Sequence, residues 1–171
     1  MKQPEFFLRF EDVRTLSMEQ FSARLKTMEK KEVGSLNVGE LCAMTEYPNG
    51  LYFFFDEVDL LQYVGKSSSR SFIERVPSHF DPRHDAWFNT LPKKLMLHAG
   101  FSEYLAAHSR GLELRVVMLG IKVRGTINTL ETHLRSYLQP ALNAARPGRV
   151  SADTLLAASE AQPLAQAERQ R

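Results

Sequence analysis

The sequence predicts an α+β domain carried by three strands with helices packed against them. Three observations lead there. Residues 51–55 and 61–65 are aromatic and β-favouring, with the polar run Asp56-Glu57-Val58-Asp59 between them, as in a hairpin. Residues 112–121 place Leu112, Leu114, Val116 and Met118 on one face at period two. The intervening and following segments carry apolar residues at helical spacing instead.

In chain order, residues 1–49 read as a mostly helical N-terminal extension, 50–149 as the main domain, and 150–171 as a tail that is weakly helical or disordered. The extension opens on Phe6-Phe7-Leu8-Arg9-Phe10, a short candidate strand. Ser17-x-x-Gln20 has the form of a capping box, and Phe21, Leu25 and Met28 follow on one helical stripe. A second short helix is expected over 37–44, ending at the turn chemistry of Tyr47-Pro48-Asn49-Gly50. After the hairpin, Ser67-Ser68-Ser69 offers N-caps for a helix bearing Phe72, Ile73 and Val76, which Pro77 is expected to end. Pro92 and Gly100 divide the next stretch into two short helical pieces, the second near 102–108. A last helix is expected over about 128–138, with Leu130, Leu134 and Leu138 on its apolar side and Pro140 beyond it.

Composition narrows the class. The chain has 171 residues, 43% hydrophobic and 25% charged, which suits one ordinary domain. No apolar run approaches the roughly 18 residues of a membrane span, and the start lacks a secretory signal. Cys42 is the only cysteine, so no internal disulfide forms; the expectation is a cytoplasmic protein. Residues 50–149 hold 13 Lys/Arg against 9 Asp/Glu, an excess compatible with an anionic substrate such as DNA.

The chemistry-bearing residues come in a fixed order. Gly50-Leu51-Tyr52 and Tyr63-Val64-Gly65-Lys66 place two phenols eleven residues apart, and Arg75-x-x-x-His79, Glu131 and Pro140-x-x-Asn143 follow. Phenols, cations, an imidazole and one carboxylate are a set able to hydrolyse a phosphodiester with one hard metal ion. Taken singly, each has a plainer reading: strand tyrosines packing under a helix, solvated cations, a structural histidine, a turn asparagine. Asn128-x-x-Glu131 also has the form of a capping box, which leaves Glu131 open between a helix cap and a metal ligand. His79, Asp81, His84 and Asp85 form a second cluster, but Pro82 interrupts it. Trp87 and Phe88 suit either base stacking or a core.

Together these residues resemble the GIY-YIG nuclease superfamily over roughly residues 50–146, the Tyr63-Val64-Gly65-Lys66 string being most similar to the excision-repair branch. The resemblance implies a small three-stranded antiparallel sheet flanked by helices. It also implies a DNA endonuclease using one Mg²⁺ or Mn²⁺ ion. One tyrosine aligns or deprotonates the attacking water; Tyr63 is the choice here, with Tyr52 completing the network. Lys66 supplies a cationic field that lowers a phenol, Arg75 clamps the phosphate with Arg70 as its rival, and His79 donates to phosphate or carries a proton. Glu131 holds the metal, while Lys66, Arg70 and Asn143 lie at the substrate, Asn143 as a brace. The alternative is a nuclease-like domain that binds nucleic acid or a partner protein without cutting. The N-terminal extension is a candidate surface for a homodimer or partner.

Overall fold

A computed structural model describes residues 3–88 and 90–143. The expectation for residues 150–171 lies outside them. The elements run β1 (Phe7–Arg9), α1 (Phe10–Val13), α2 (Met18–Thr27), β2 (Lys31–Glu32), a 3₁₀ turn (Val33–Ser35), α3 (Val38–Cys42), β3 (Gly50–Phe55) and β4 (Leu61–Ser67). They continue with α4 (Phe72–Ser78), α5 (Thr90–Ala99), α6 (Tyr104–Glu113), β5 (Arg115–Gly120), α7 (Arg124–Leu138) and a closing 3₁₀ turn (Ala141–Asn143).

The fold is α+β, with the expected antiparallel hairpin β3–β4 and with β5 antiparallel to β3. It is not a three-stranded sheet. The strand order is β1-β5-β3-β4, with β1 parallel to β5, and β2 antiparallel to β5 along its first residues. Backbone bonds continue both junctions: Met118 N donates to Phe6 O at 2.8 Å, and Val33 N donates to Leu114 O at 2.8 Å. Residues 3–49 therefore add two short strands to the sheet besides carrying helices α1, α2 and α3. An unpaired edge on β5 would leave a row of N–H and C=O groups open, and this segment covers it.

The central strand β3 is buried along its whole length, so its two faces feed two cores. Tyr52 and Phe54 join Phe6, Phe7, Tyr63, Phe72, Val76, Leu91 and Leu95 on one face. Leu51, Phe53 and Phe55 join Leu8, Phe21, Leu25, Val64, Ile127 and Leu134 on the other. A strand covered on both faces reads as a continuous apolar run, which is why Leu51 to Phe55 shows no polar alternation. Each buried Phe or Leu of this set contributes on the order of 1.5–3 kcal/mol.

Both expected helix starts in the extension are present: Ser17 and Gln20 form the capping box of α2, and Asn37 with Glu40 forms that of α3. Elsewhere the ends differ. The N-cap of α4 is Ser71, whose N–H donates to Glu74 Oε2 at 2.8 Å, and not one of residues 67–69. Pro77 lies inside the last turn of α4, where it forfeits a single backbone bond, and the helix ends one residue later. Pro92 sits in the first turn of α5, whose N–H groups have no helical acceptor in any case. Helix α6 runs through Glu113 and delays β5 to Arg115. Helix α7 starts at Arg124, so Asn128 is inside it and the capping-box reading of Glu131 is overturned.

Candidate functional site

Tyr52 and Tyr63 project from adjacent strands onto the same face, with ring centroids 6.4 Å apart. Tyr52 pairs across the ladder with Gly65, and its ring lies flat over that glycine. A Cβ at residue 65 would collide with the ring and sit 2.5 Å from the phenol oxygen. The glycine of the second tripeptide is thus the space that Tyr52 occupies. Gly50, at φ +153°, likewise has no room for a side chain against the Leu119 carbonyl.

Beneath the phenols, the helix end after Pro77 delivers His79 into the core. Its Nε2 lies 2.5 Å from Tyr52 Oη, and its Nδ1 has no partner. Tyr52 and His79 are both 0% exposed, whereas Tyr63 is 8% exposed. Direct contact between His79 and a phosphate, one of the two roles expected for it, is therefore excluded by its position. His79 instead orients Tyr52. It also leaves the second cluster, being fully buried against Tyr52 while Asp81 pairs with Arg83 at 2.6 Å.

Cations approach this face from two helices. Arg75 of α4 brings its charge to bear on Tyr52, Tyr63 and His79. Lys94 of α5, which the sequence reading did not single out, lies 5.9 Å from the Tyr63 ring centroid and also acts on His79. Arg70 does not join them at the phenols. Its guanidinium stacks over Phe88 at 4.1 Å, and its carbonyl accepts from Asn49 Nδ2 at 2.7 Å and from the Ser67 hydroxyl. Of the two rival arginines, Arg75 is the one at the tyrosines.

Glu131 arrives from the opposite layer. Helix α7 packs Ile127 and Leu134 into the other core, and Glu131, 8% exposed, comes up beside the edge strand β4. There Lys66 Nζ meets its Oε2 at 2.8 Å, while Arg135, one helical turn on, reaches its Oε1 at 3.6 Å. The carboxylate is close enough to raise both phenols. The charges of Arg75 and Glu131 thus both reach the two phenols, Glu131 from beside the edge strand at Lys66.

Asn143 holds that edge in place. After the left-handed Gln139 and Pro140, the chain crosses from the α7 layer and buries Leu142 in the tyrosine-face core. Val64 N donates to Asn143 Oδ1 at 2.6 Å, and Asn143 Nδ2 donates to Val64 O at 2.8 Å. With both ends of its amide bound to the strand, Asn143 is a brace and not a phosphate ligand.

The electrostatics correct one expectation. Burial pushes Tyr52 well above the ordinary tyrosine pKa, with Tyr63 and Glu131 acting the same way and Arg75 opposing them. Burial also raises Tyr63, against Arg75 and Arg135. Lys66 is committed to Glu131 and does not supply the lowering field. His79 is pushed down to about 3, first by burial and then by Arg75 and Lys94, so it is a neutral imidazole at neutral pH.

A metal here has one protein carboxylate available. Among the described residues no three His, Cys, Asp or Glu side chains gather to hold an ion, and zinc usually takes three or four such ligands. A single hard oxygen donor beside a cation-lined edge fits Mg²⁺ or Mn²⁺, which keep most positions for water and phosphate. Among the described residues no helix is long and apolar enough to cross a membrane. Comparison of the chain with models of protein families, with curated proteins and with solved structures finds no match in any of the three.

Proposed function

We propose that the chain is a divalent-metal-dependent endonuclease of the GIY-YIG type that hydrolyses DNA phosphodiester bonds. The observation that carries this is that Arg75 and the Lys66-paired Glu131 both bear electrostatically on Tyr52 and Tyr63 beside β4, although α7 belongs to the opposite layer. Arg75 clamps a phosphoryl oxygen, its planar fork matching phosphate geometry. Lys66 and Lys94 add positive charge on either side. Tyr63, the phenol nearer solvent, holds the attacking water through its oxygen. Tyr52, locked by His79, fixes the direction of the neighbouring ring and is a positioning residue. Burial keeps both phenols protonated at neutral pH, so neither is a base as the site stands.

Glu131 would hold the metal, which when bound supplies charge for the phosphoryl oxygens and reverses the sign of the field Glu131 now imposes on both phenols. Purified protein incubated with supercoiled plasmid and with a single-stranded oligonucleotide, in Mg²⁺ or Mn²⁺, should cut at least one. Glu131→Ala and Arg75→Ala should each lose about 10²–10³-fold in rate. Intact substrates with wild-type protein in both metals would refute the enzyme reading.

A second reading, a domain that binds nucleic acid without cutting it, is favoured by one fact: both oxygens of Glu131 already face cations. Salt-sensitive DNA binding with no cleavage in the same experiment would select it.

A further inference from the structure

Trp87 is 88% exposed, an unusual state for the largest apolar side chain in the sequence. It is also the only tryptophan. Its neighbour Phe88 is also exposed and carries the Arg70 guanidinium on its face at 4.1 Å, with the Arg75 guanidinium 5.8 Å from the same ring. Arg75 is the cation at the two phenols, so Phe88 links the aromatic pair directly to the phosphate-clamping end of the site. Across it lies Lys93, whose Nζ donates to Ala86 O at 3.0 Å and ties the start of α5 to this loop.

An exposed indole, next in sequence to a phenyl ring that carries a stacked guanidinium, offers flat surfaces beside positive charge. Purely apolar partners do not call for two arginines at such a surface. Duplex DNA offers no base faces to it, because its bases are stacked on one another. Unpaired nucleotides offer both a π-face and a phosphate.

We infer that Trp87, with Phe88 and Arg70, is a stacking platform for an unpaired base next to the phosphate held by Arg75. The substrate is accordingly single-stranded DNA or a strand with unpaired nucleotides at the cut. The inference rests on the nuclease reading for its substrate class, but its test does not depend on cleavage.

The lone tryptophan makes its own fluorescence the reporter. Wild-type protein without divalent metal is titrated with a short oligothymidylate, with a blunt duplex, and with heparin as a polyanion lacking bases. Stacking predicts saturable quenching by the oligothymidylate and little by the duplex or heparin. Trp87→Ala, followed by anisotropy of a labelled oligothymidylate, should weaken binding about 5- to 150-fold, the range for loss of one stacked base. Trp87→Phe should recover most of it. Equal quenching by heparin, or unchanged affinity in Trp87→Ala, overturns the platform; so does self-association that buries Trp87 in the free protein, read by sedimentation. Quenching without cleavage in either Mg²⁺ or Mn²⁺ leaves the platform standing and removes the nuclease. Cleavage without quenching does the reverse.

Discussion

Acidification should unfold this protein earlier than its carboxylates alone would, because of His79. The imidazole is buried against Tyr52 and pressed down to about 3 by desolvation and by the charges of Arg75 and Lys94. In the unfolded chain it binds a proton near pH 6.5. Between these values the unfolded state holds more protons than the folded one, so stability rises with pH across the window and is lost as pH falls from 6.5 towards 3. At pH 5 the loss from this one group amounts to about 2 kcal/mol, a large part of a typical domain's total. Urea unfolding at a series of pH values from 5 to 8 measures it, with His79→Gln as the reference. Glutamine can keep a partner for the Tyr52 hydroxyl and does not titrate. The difference between the two proteins also cancels His98, which is depressed in the same sense, and Glu29, which is raised and acts oppositely. Identical pH slopes for wild type and His79→Gln would refute the account of a desolvated, neutral imidazole.

Gly65→Ala should lower stability by about 1–3 kcal/mol as the new methyl displaces the Tyr52 ring, seen as a fall in Tm. That cost should shrink in a Tyr52→Ala background, giving a coupling energy in a double-mutant cycle. Asn143→Ala should cost about 1–3 kcal/mol and speed amide exchange at Val64, since both strand groups lose their partner. Arg75→Lys keeps the charge but loses the planar fork, so cleavage should fall while the unfolding midpoint barely moves.

Local chemistry made much of this fold readable. The hairpin is bounded by its aromatic run and polar loop, one helix of the extension starts at the capping box read as Ser17-x-x-Gln20, and the helix expected from residue 37 starts there on a box, Asn37 with Glu40, that was not read. Long-range pairing was not readable. Nothing in Phe7-Leu8-Arg9 says that its edge partner is Met118-Leu119-Gly120, because that choice depends on which edge is left open after β5 docks on β3. The same limit misled on Asn128, where α7 begins a turn earlier, at Arg124, with no side-chain cap to announce it. Arg135 could have been found as the i+4 partner of Glu131. Lys94 could not, since its place beside Tyr63 is set by how α5 crosses the sheet. The phenols' pKa values were misjudged because desolvation, a property of the finished core, outweighs any one neighbouring cation.

The pairing of β1 with β5 joins Phe7 to Met118, so during synthesis β1 finds its seat only after about 110 further residues have emerged. Until then Phe6, Phe7 and Leu8 are an uncovered apolar stretch on a growing chain. A chain lacking β1 would be spared that wait but would lose the outer border of β5, and such a fragment should precipitate.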